Sequence, residues 1–251
     1  MANKIIVIGG GRWARVLIKS LVELEYNRFT LDIYTLHNRE YMQSWVKSNK
    51  FDTRVNLISS IENISSTEYK FGIIANEAYK HFEYSIKLLN SNIPIIIEKP
   101  VTLSHEYTNE IVRTSDQCNT KVFPALVYLF NEYLQNFYSK YINDFEVTRI
   151  KINWHDPTSE FKENEIKKYD SGVSIIEDCL PHLLSITSIF IDIGKLKFDK
   201  LIFLNGGSYI KSYFKYYDKP IIYEFSRNYY KRERCLIIEC DSKEYNINFD
   251  N

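Results

Sequence analysis

The sequence predicts an α/β protein in two parts, a doubly wound parallel sheet followed by an α+β domain with a mostly antiparallel or mixed open sheet. Three observations carry that prediction. A short, wholly apolar, β-branched run (residues 4–8, KIIVI) leads directly into Gly9-Gly10-Gly11. Apolar strands and helical stretches then alternate as far as about residue 122. Beyond that point strand-like stretches follow one another, with a single apolar helix interrupting them.

Residues 4–8 read as a strand buried on both faces, because a continuous Val/Ile run suits a strand covered by helices on either side. Residues 13–25 bring Val16, Leu17, Leu21 and Leu24 onto one side at helical spacing, and residues 29–36 form a second strand. Strand, glycine turn, helix and strand is the opening of a doubly wound domain. A helix at 42–50, a short strand at 55–57, a connecting segment at 61–66 and a strand at 71–75 continue the alternation. A helix at 79–92, a strand at 93–97, a helix at 105–118 and a strand at 121–127 complete it. This gives five or six parallel strands with right-handed crossovers, a Rossmann-type half, and sets the domains at 1–122 and 123–251. The second half carries helices at 131–141 and 173–190 and strands at 147–154, 201–204, 208–217, 221–229 and 234–240. Successive strands without intervening helices imply antiparallel or mixed pairing.

Composition narrows the functional classes. The 32 basic and 32 acidic residues cancel, which leaves no basic footprint for nucleic acid and none for an anionic membrane. A hydrophobic content of 45% with 25% charged residues is that of an ordinary globular protein. Cys118, Cys179, Cys235 and Cys240 form no CxxC pair and no zinc pattern with the five histidines, so four reduced, mostly buried thiols and no metal are expected. Residues 5–8 are too short for a signal-peptide core and nothing approaches a membrane span. A cytoplasmic location is the expectation.

Gly9-Gly10-Gly11-Arg12-Trp13-Ala14 fits G-x-G-x-x-A. The first glycine permits the tight turn and the second lets backbone approach a pyrophosphate. Ala14 allows close packing of helix on strand while the helix N-terminus faces the anion. The same fingerprint expects an acid at the end of the second strand for the ribose of NAD. Asp32 lies too early, inside the strand, which ends Leu36-His37-Asn38-Arg39. A basic, polar end suits the 2′-phosphate of NADP, with Arg39 as cation and Asn38 as donor; NAD is the second choice.

The strand at 93–97 runs into Glu98-Lys99-Pro100. A strand ending in Glu-Lys-Pro late in a Rossmann domain resembles the Gfo/Idh/MocA family, the glucose–fructose oxidoreductase and inositol dehydrogenase group. The resemblance implies that Lys99 projects toward nicotinamide and substrate, and that Pro100 follows a cis bond shaping the site. Two further motifs agree. Ala75-Asn76-Glu77-Ala78-Tyr79-Lys80-His81 stands where the family has A-T-P-N-x-x-H lining the nicotinamide pocket; His81 is in register, while Asn76 and Glu77 replace Thr-Pro. Asp178-Cys179-Leu180-Pro181-His182-Leu183-Leu184-Ser185 stands where the family has D-x-G-x-H-x-x-D; Asp178 and His182 match, while Leu180 and Ser185 replace the glycine and the last acid. The resemblance covers residues 1 to about 190, on a chain short for the family.

It implies an NAD(P)-dependent oxidoreductase moving hydride between nicotinamide and a small polar substrate. Lys99 would bond the substrate heteroatom, and desolvation would bring such a lysine toward neutrality. His182 would donate or accept the proton, and Asp178, one turn earlier on the same helical face, would orient it. A serine at 185 weakens polyol oxidation and leaves room for reduction of a keto-sugar or of an imine, as in thiazoline- or siderophore-type biosynthesis. A non-catalytic NADP-binding regulator is the alternative of another class. His155 is expected in a loop by the pocket and Tyr128 in core packing. The open sheet of the second domain offers a surface for a homo-oligomer.

Overall fold

The computed structural model of the chain describes residues 3–24, 29–162, 165–166, 169, 172–241 and 243–249. They fall into two compact units, Met1–Ala125 and Leu126–Asn251. No helix among the described residues is long and apolar enough to cross a membrane.

In the first unit the strands are β1 (Lys4–Ile8), β2 (Thr30–Tyr34), β3 (Val55–Ile58), β4 (Tyr69–Ile74), β5 (Ile95–Ile97) and β6 (Val122–Pro124). All pair in parallel, in the order β3-β2-β1-β4-β5-β6. The helices are α1 (Arg12–Glu23), α2 (Arg39–Ser48), α3 (His81–Asn90) and α4 (His105–Gln117). Both faces of the sheet are covered, which is why its strands read as unbroken apolar runs. Ile5, Val7 and Ile33 pack with Ala14 and Ile18 of α1 and Met42 and Val46 of α2. Ile6, Ile8, Ile95 and Ile97 pack with Leu88 of α3 and Ile111 of α4.

Element bounds differ from the sequence reading where side chains intervene. The expected helix at 13–25 ends at Glu23, and Glu25 lies outside the described residues. The strand expected at 121–127 stops at Pro124, a residue with no N–H to carry the ladder on, and Val127–Phe130 turn as a 3-10 helix. Asp32, the one acid in β2, is buried in a network of its own. It accepts from Lys4 Nζ at 3.1 Å, from the Tyr69 hydroxyl at 2.7 Å and from Asn56 Nδ2 at 3.3 Å.

In the second unit α5 (Glu132–Phe137) continues as a π-helical turn over Tyr138–Ile142, in which the Asn143 N–H reaches Tyr138 O at 2.9 Å. The strands are β7 (Val147–Pro157), β8 (Phe161–Lys162), β9 (Glu165–Ile166), β10 (Leu196–Leu204), β11 (Tyr209–Tyr216), β12 (Lys219–Tyr229), β13 (Glu233–Cys240) and β14 (Lys243–Asn248). β8 and β9 pair only with each other; the other six form a mixed sheet ordered β10-β11-β12-β7-β13-β14. Every pairing is antiparallel except β12 on β7. One face is covered by α6 (Ile175–Thr187), whose Leu183 and Ile186 meet Ile150, Ile152, Trp154, Tyr223 and Phe225. Ser174 caps this helix in a reciprocal box with Glu177, so it starts later than the expected 173.

Alternation puts Lys151, Glu224, Tyr209 and His155 on the opposite face. Burial alone would disfavour the Glu224 carboxylate. Hydrogen bonds from Tyr209, Lys151 and Lys211 outweigh it and hold the carboxyl at about 2, against an ordinary 4.5. A depressed carboxyl stabilises the fold above its unfolded value and ceases to do so as pH falls through the folded one. The thermal midpoint is therefore expected to drop between about pH 5 and pH 2, Glu224 contributing on the order of 2 kcal/mol after allowance for screening. Glu224→Gln should flatten that limb of the pH–stability curve; an unchanged limb refutes the assignment.

Candidate active site

The C-terminal edge of the parallel sheet brings four stretches side by side. Gly9 N–H donates to Tyr34 O at 2.9 Å, Ala75 N–H to Ile8 O at 2.8 Å, and Glu98 N–H to Ile74 O at 2.9 Å. The glycine turn, the end of β2, the loop after β4 and Glu98-Lys99-Pro100 thus line one crevice, the place where open parallel sheets bind ligands.

The glycines do different things there. Gly9 has φ +139°, and a Cβ on it would lie 2.5 Å from Ala75 O. A Cβ on Gly10 would lie 2.7 Å from Thr35 Oγ1. Around Gly11, which precedes α1 in extended conformation, a Cβ would meet nothing within 4 Å. The first two are required by packing, whereas the third borders open space at a helix N-terminus, where N–H groups suit an anion. Arg12 and Trp13 open α1, and Ala14 in its first turn is fully buried.

His37, Asn38 and Arg39 are exposed at the end of β2. Asn38 Nδ2 lies 3.5 Å from Gly10 O. The Arg39 guanidinium donates to Ile58 O at 2.6 Å and Leu57 O at 3.1 Å, which anchors it over the end of β3.

The Lys99–Pro100 peptide bond is cis. His81, 1% exposed, stands with Nδ1 2.9 Å from Pro100 O and Nε2 3.2 Å from Asn76 O. Burial lowers its pKa despite those carbonyls, and a neutral ring has one N–H, so it donates to one carbonyl at a time. His81 therefore fastens the loop after β4 to the end of β5. Glu98 is also buried; burial pushes its carboxyl up against hydrogen bonds from the Trp13 side chain and the Lys99 N–H. This contact ties the glycine turn to the Glu-Lys-Pro segment. Both polar atoms of the Asn76 side chain are buried without a hydrogen-bond partner, an arrangement that buried amides rarely adopt unless something else supplies the partner. Lys99 itself is half-buried.

In the second unit His182 lies against the rings of Tyr128 (5.3 Å) and Trp154 (5.7 Å). Asp178 is ion-paired with Arg227 at 2.9 Å, and Arg227 also lies 4.5 Å from the centroid of the Tyr169 ring. The Ser185 hydroxyl donates to His182 O at 2.8 Å within the helix, while Leu180 packs against the apolar core. Sequence reasoning missed Arg234, stacked 4.0 Å over Trp154 and paired with the buried Asp156 at 2.6 Å. His155 is not in a loop: it belongs to β7, buried, bonded to Ser226 Oγ at 2.8 Å and stacked on Tyr209 and Tyr229. The strand extends past Trp154 because β12 and β13 continue to pair beside it. The four cysteines are free, Cys179 and Cys240 buried, Cys118 and Cys235 half-buried.

A parallel sheet of this order with a glycine turn after its first strand defines a dinucleotide-binding protein of Rossmann type. Residues 3–126 match the model of an oxidoreductase family with an NAD-binding Rossmann fold, GFO_IDH_MocA. The chain belongs to that family, the Gfo/Idh/MocA oxidoreductases, and is an NAD(P)-dependent oxidoreductase. No curated protein sequence matches it.

Solved structures share its fold over nearly the whole chain. GenD2 from gentamicin A biosynthesis, in complex with NAD, superposes with a TM-score of 0.77 at 11% identity, over 98% of this chain and 72% of that one. The dehydrogenase MviM from Clostridium difficile gives 0.74 at 16%, over 99% and 78%. A Gfo/Idh/MocA family oxidoreductase from Vibrio cholerae gives 0.72 at 11%, over 100% and 83%. At these identities the likeness is one of fold.

Proposed function

We propose that the protein is an NADP-preferring reductase or dehydrogenase of a small polar substrate, a keto- or hydroxy-sugar-like compound or an imine. One observation carries the reading: the buried, unpartnered carboxamide of Asn76, on the loop after β4 whose backbone lies beside Gly9. A cofactor amide or hydroxyl would satisfy it. Gly9, Gly11, Arg12, Trp13 and Ala14 would seat the pyrophosphate, His37, Asn38 and Arg39 the adenosine end. Ala75, Asn76, His81, Glu98 and Pro100 would shape the nicotinamide end. When bound, the nicotinamide supplies or takes the hydride. Lys99 holds the substrate heteroatom and stabilises charge developing on it. His182 moves the proton, and Asp178, kept in place by Arg227, sets the ring. Residues 1–122 are assigned to the cofactor and 123–251 to the substrate.

NADP over NAD is supported by the anchored Arg39 and by the lack of an acid between Thr35 and Arg39. Titration of tryptophan fluorescence with NADPH and NADH tests it. Arg39→Ala should weaken NADPH about tenfold, the worth of one charge-assisted contact, and NADH much less. Equal affinities in the wild-type protein remove the preference.

The keto-sugar and imine readings separate on a substrate panel. The half-buried polar face of the mixed sheet, with His155 and Glu224, suits a second copy of the chain, which light scattering would show as a dimer mass. Four free thiols suit a reducing cytoplasm.

A further inference from the structure

A cleft of about 500 Å³ opens in the second unit where β7 begins. The rings of Tyr138, Phe145, Phe190, Tyr216 and Tyr217 line it. Two pairs of them meet edge to face and form corners. Tyr138 and Phe190 lie 6.0 Å apart at 73°, and Tyr216 and Tyr217 lie 4.9 Å apart at 69°. From Val147 to Trp154 the strand rises roughly 23 Å, so the cleft is remote from the ring cluster around His182.

Two unusual pieces of backbone shape these walls. The π-helical turn Tyr138–Ile142 contributes Tyr138 and Ile142, and such turns occur disproportionately at functional sites. The two-residue turn between β11 and β12, closed by the Tyr216–Lys219 pair, holds Tyr217 at φ +58°. That left-handed conformation belongs by preference to glycine, and an observed strain of this kind is a pointer to function.

Charge selects the occupant. The ionisable non-aromatic side chains lining the cleft are Glu146, Asp218 and Lys219. Lys219 is ion-paired with Glu146, which leaves the negative charge of Asp218. Aromatic faces attract cations, and they do so in this region already. Lys243 lies 5.0 Å from the Phe145 ring and Lys195 lies 5.7 Å from the Tyr217 ring, neither lysine lining the cleft.

We propose that this cleft is a second ligand site, built for a small organic cation with an alkylated ammonium head. The ring corners enclose the head and Asp218 supplies the counter-charge. The site is independent of the cofactor crevice, so it stands or falls apart from the oxidoreductase reading.

Choline and its uncharged isostere 3,3-dimethylbutan-1-ol, titrated into the full chain by ligand-observed NMR, test it. Choline should bind, with the isostere about tenfold weaker because it lacks the cation–π attraction. Tyr217→Gly and Asp218→Asn should each weaken choline about fivefold or more. Tyr217→Gly should leave the thermal midpoint unchanged or raised, since glycine adopts the turn freely. No binding of choline, equal binding of the isostere, or wild-type choline affinity in both variants would overturn the proposal.

Discussion

Gly9→Ala is expected to lower stability by about 3 kcal/mol and to abolish the quenching of tryptophan fluorescence by NADPH. Two costs coincide at this residue. Its φ of +139° is one that a side chain rarely tolerates, and the added Cβ would press on a backbone carbonyl at 2.5 Å, which has no rotamer by which to yield. The sheet would have to part between β1 and β4. Gly11→Ala makes the informative contrast. Its Cβ meets nothing within 4 Å and its backbone is extended, so the stability should hold within about 0.5 kcal/mol, while NADPH binding weakens because the methyl enters the pyrophosphate's approach. Tight NADPH binding by Gly11→Ala would sink the assignment of the turn. Unaltered stability of Gly9→Ala would sink the account of its packing.

Lys99→Ala and His182→Ala are each expected to lose roughly 10²–10⁴-fold in turnover while NADPH affinity stays close to wild type. The measurement is NADPH oxidation against keto-sugars and imines, with the fluorescence titration run beside it. Asp178→Asn should lose less, because Arg227 keeps that side chain in place whether or not it is charged. Full activity in both alanine variants would remove the catalytic roles. A wild-type protein that binds NADPH yet oxidises it with no member of the panel would be a regulator.

The first half of this architecture was legible because its signals are local. KIIVI, the glycine turn and the apolar stripe of α1 lie within some twenty residues, and each states a backbone requirement by itself. Glu98-Lys99-Pro100 was legible for the same reason. The reading weakened wherever a side chain's partner lies far along the chain. Nothing near Asp178 announces Arg227, nor does anything near Asp156 announce Arg234 on another strand. His155 is expected in a loop by the pocket, yet neighbouring strands on both sides keep β7 extended. β14, KEYNIN, gives a weak signal because Tyr245 and Ile247 are its two apolar residues, on one phase of a six-residue stretch, and only Ile247 is buried in it. Asn76 stands out in the sequence by its position in the loop alone, whereas the burial of its unpartnered amide is a property of the fold.

The placement of β7 bears on the order in which the second unit assembles. It is the first strand of its sheet in sequence and central in space, with Ile150 opposite Ile221 on one side and Ile238 on the other. A chain emerging from the ribosome therefore exposes two bare strand edges until β12 and β13 have both been made. Such long-separated pairings fold slowly, so this unit is the one in which premature termination or a cut after β7 leaves a sticky, half-built sheet. In the first unit β1 finds β2 much sooner, Lys4 lying opposite Thr30, so one of its edges is covered long before β4 arrives.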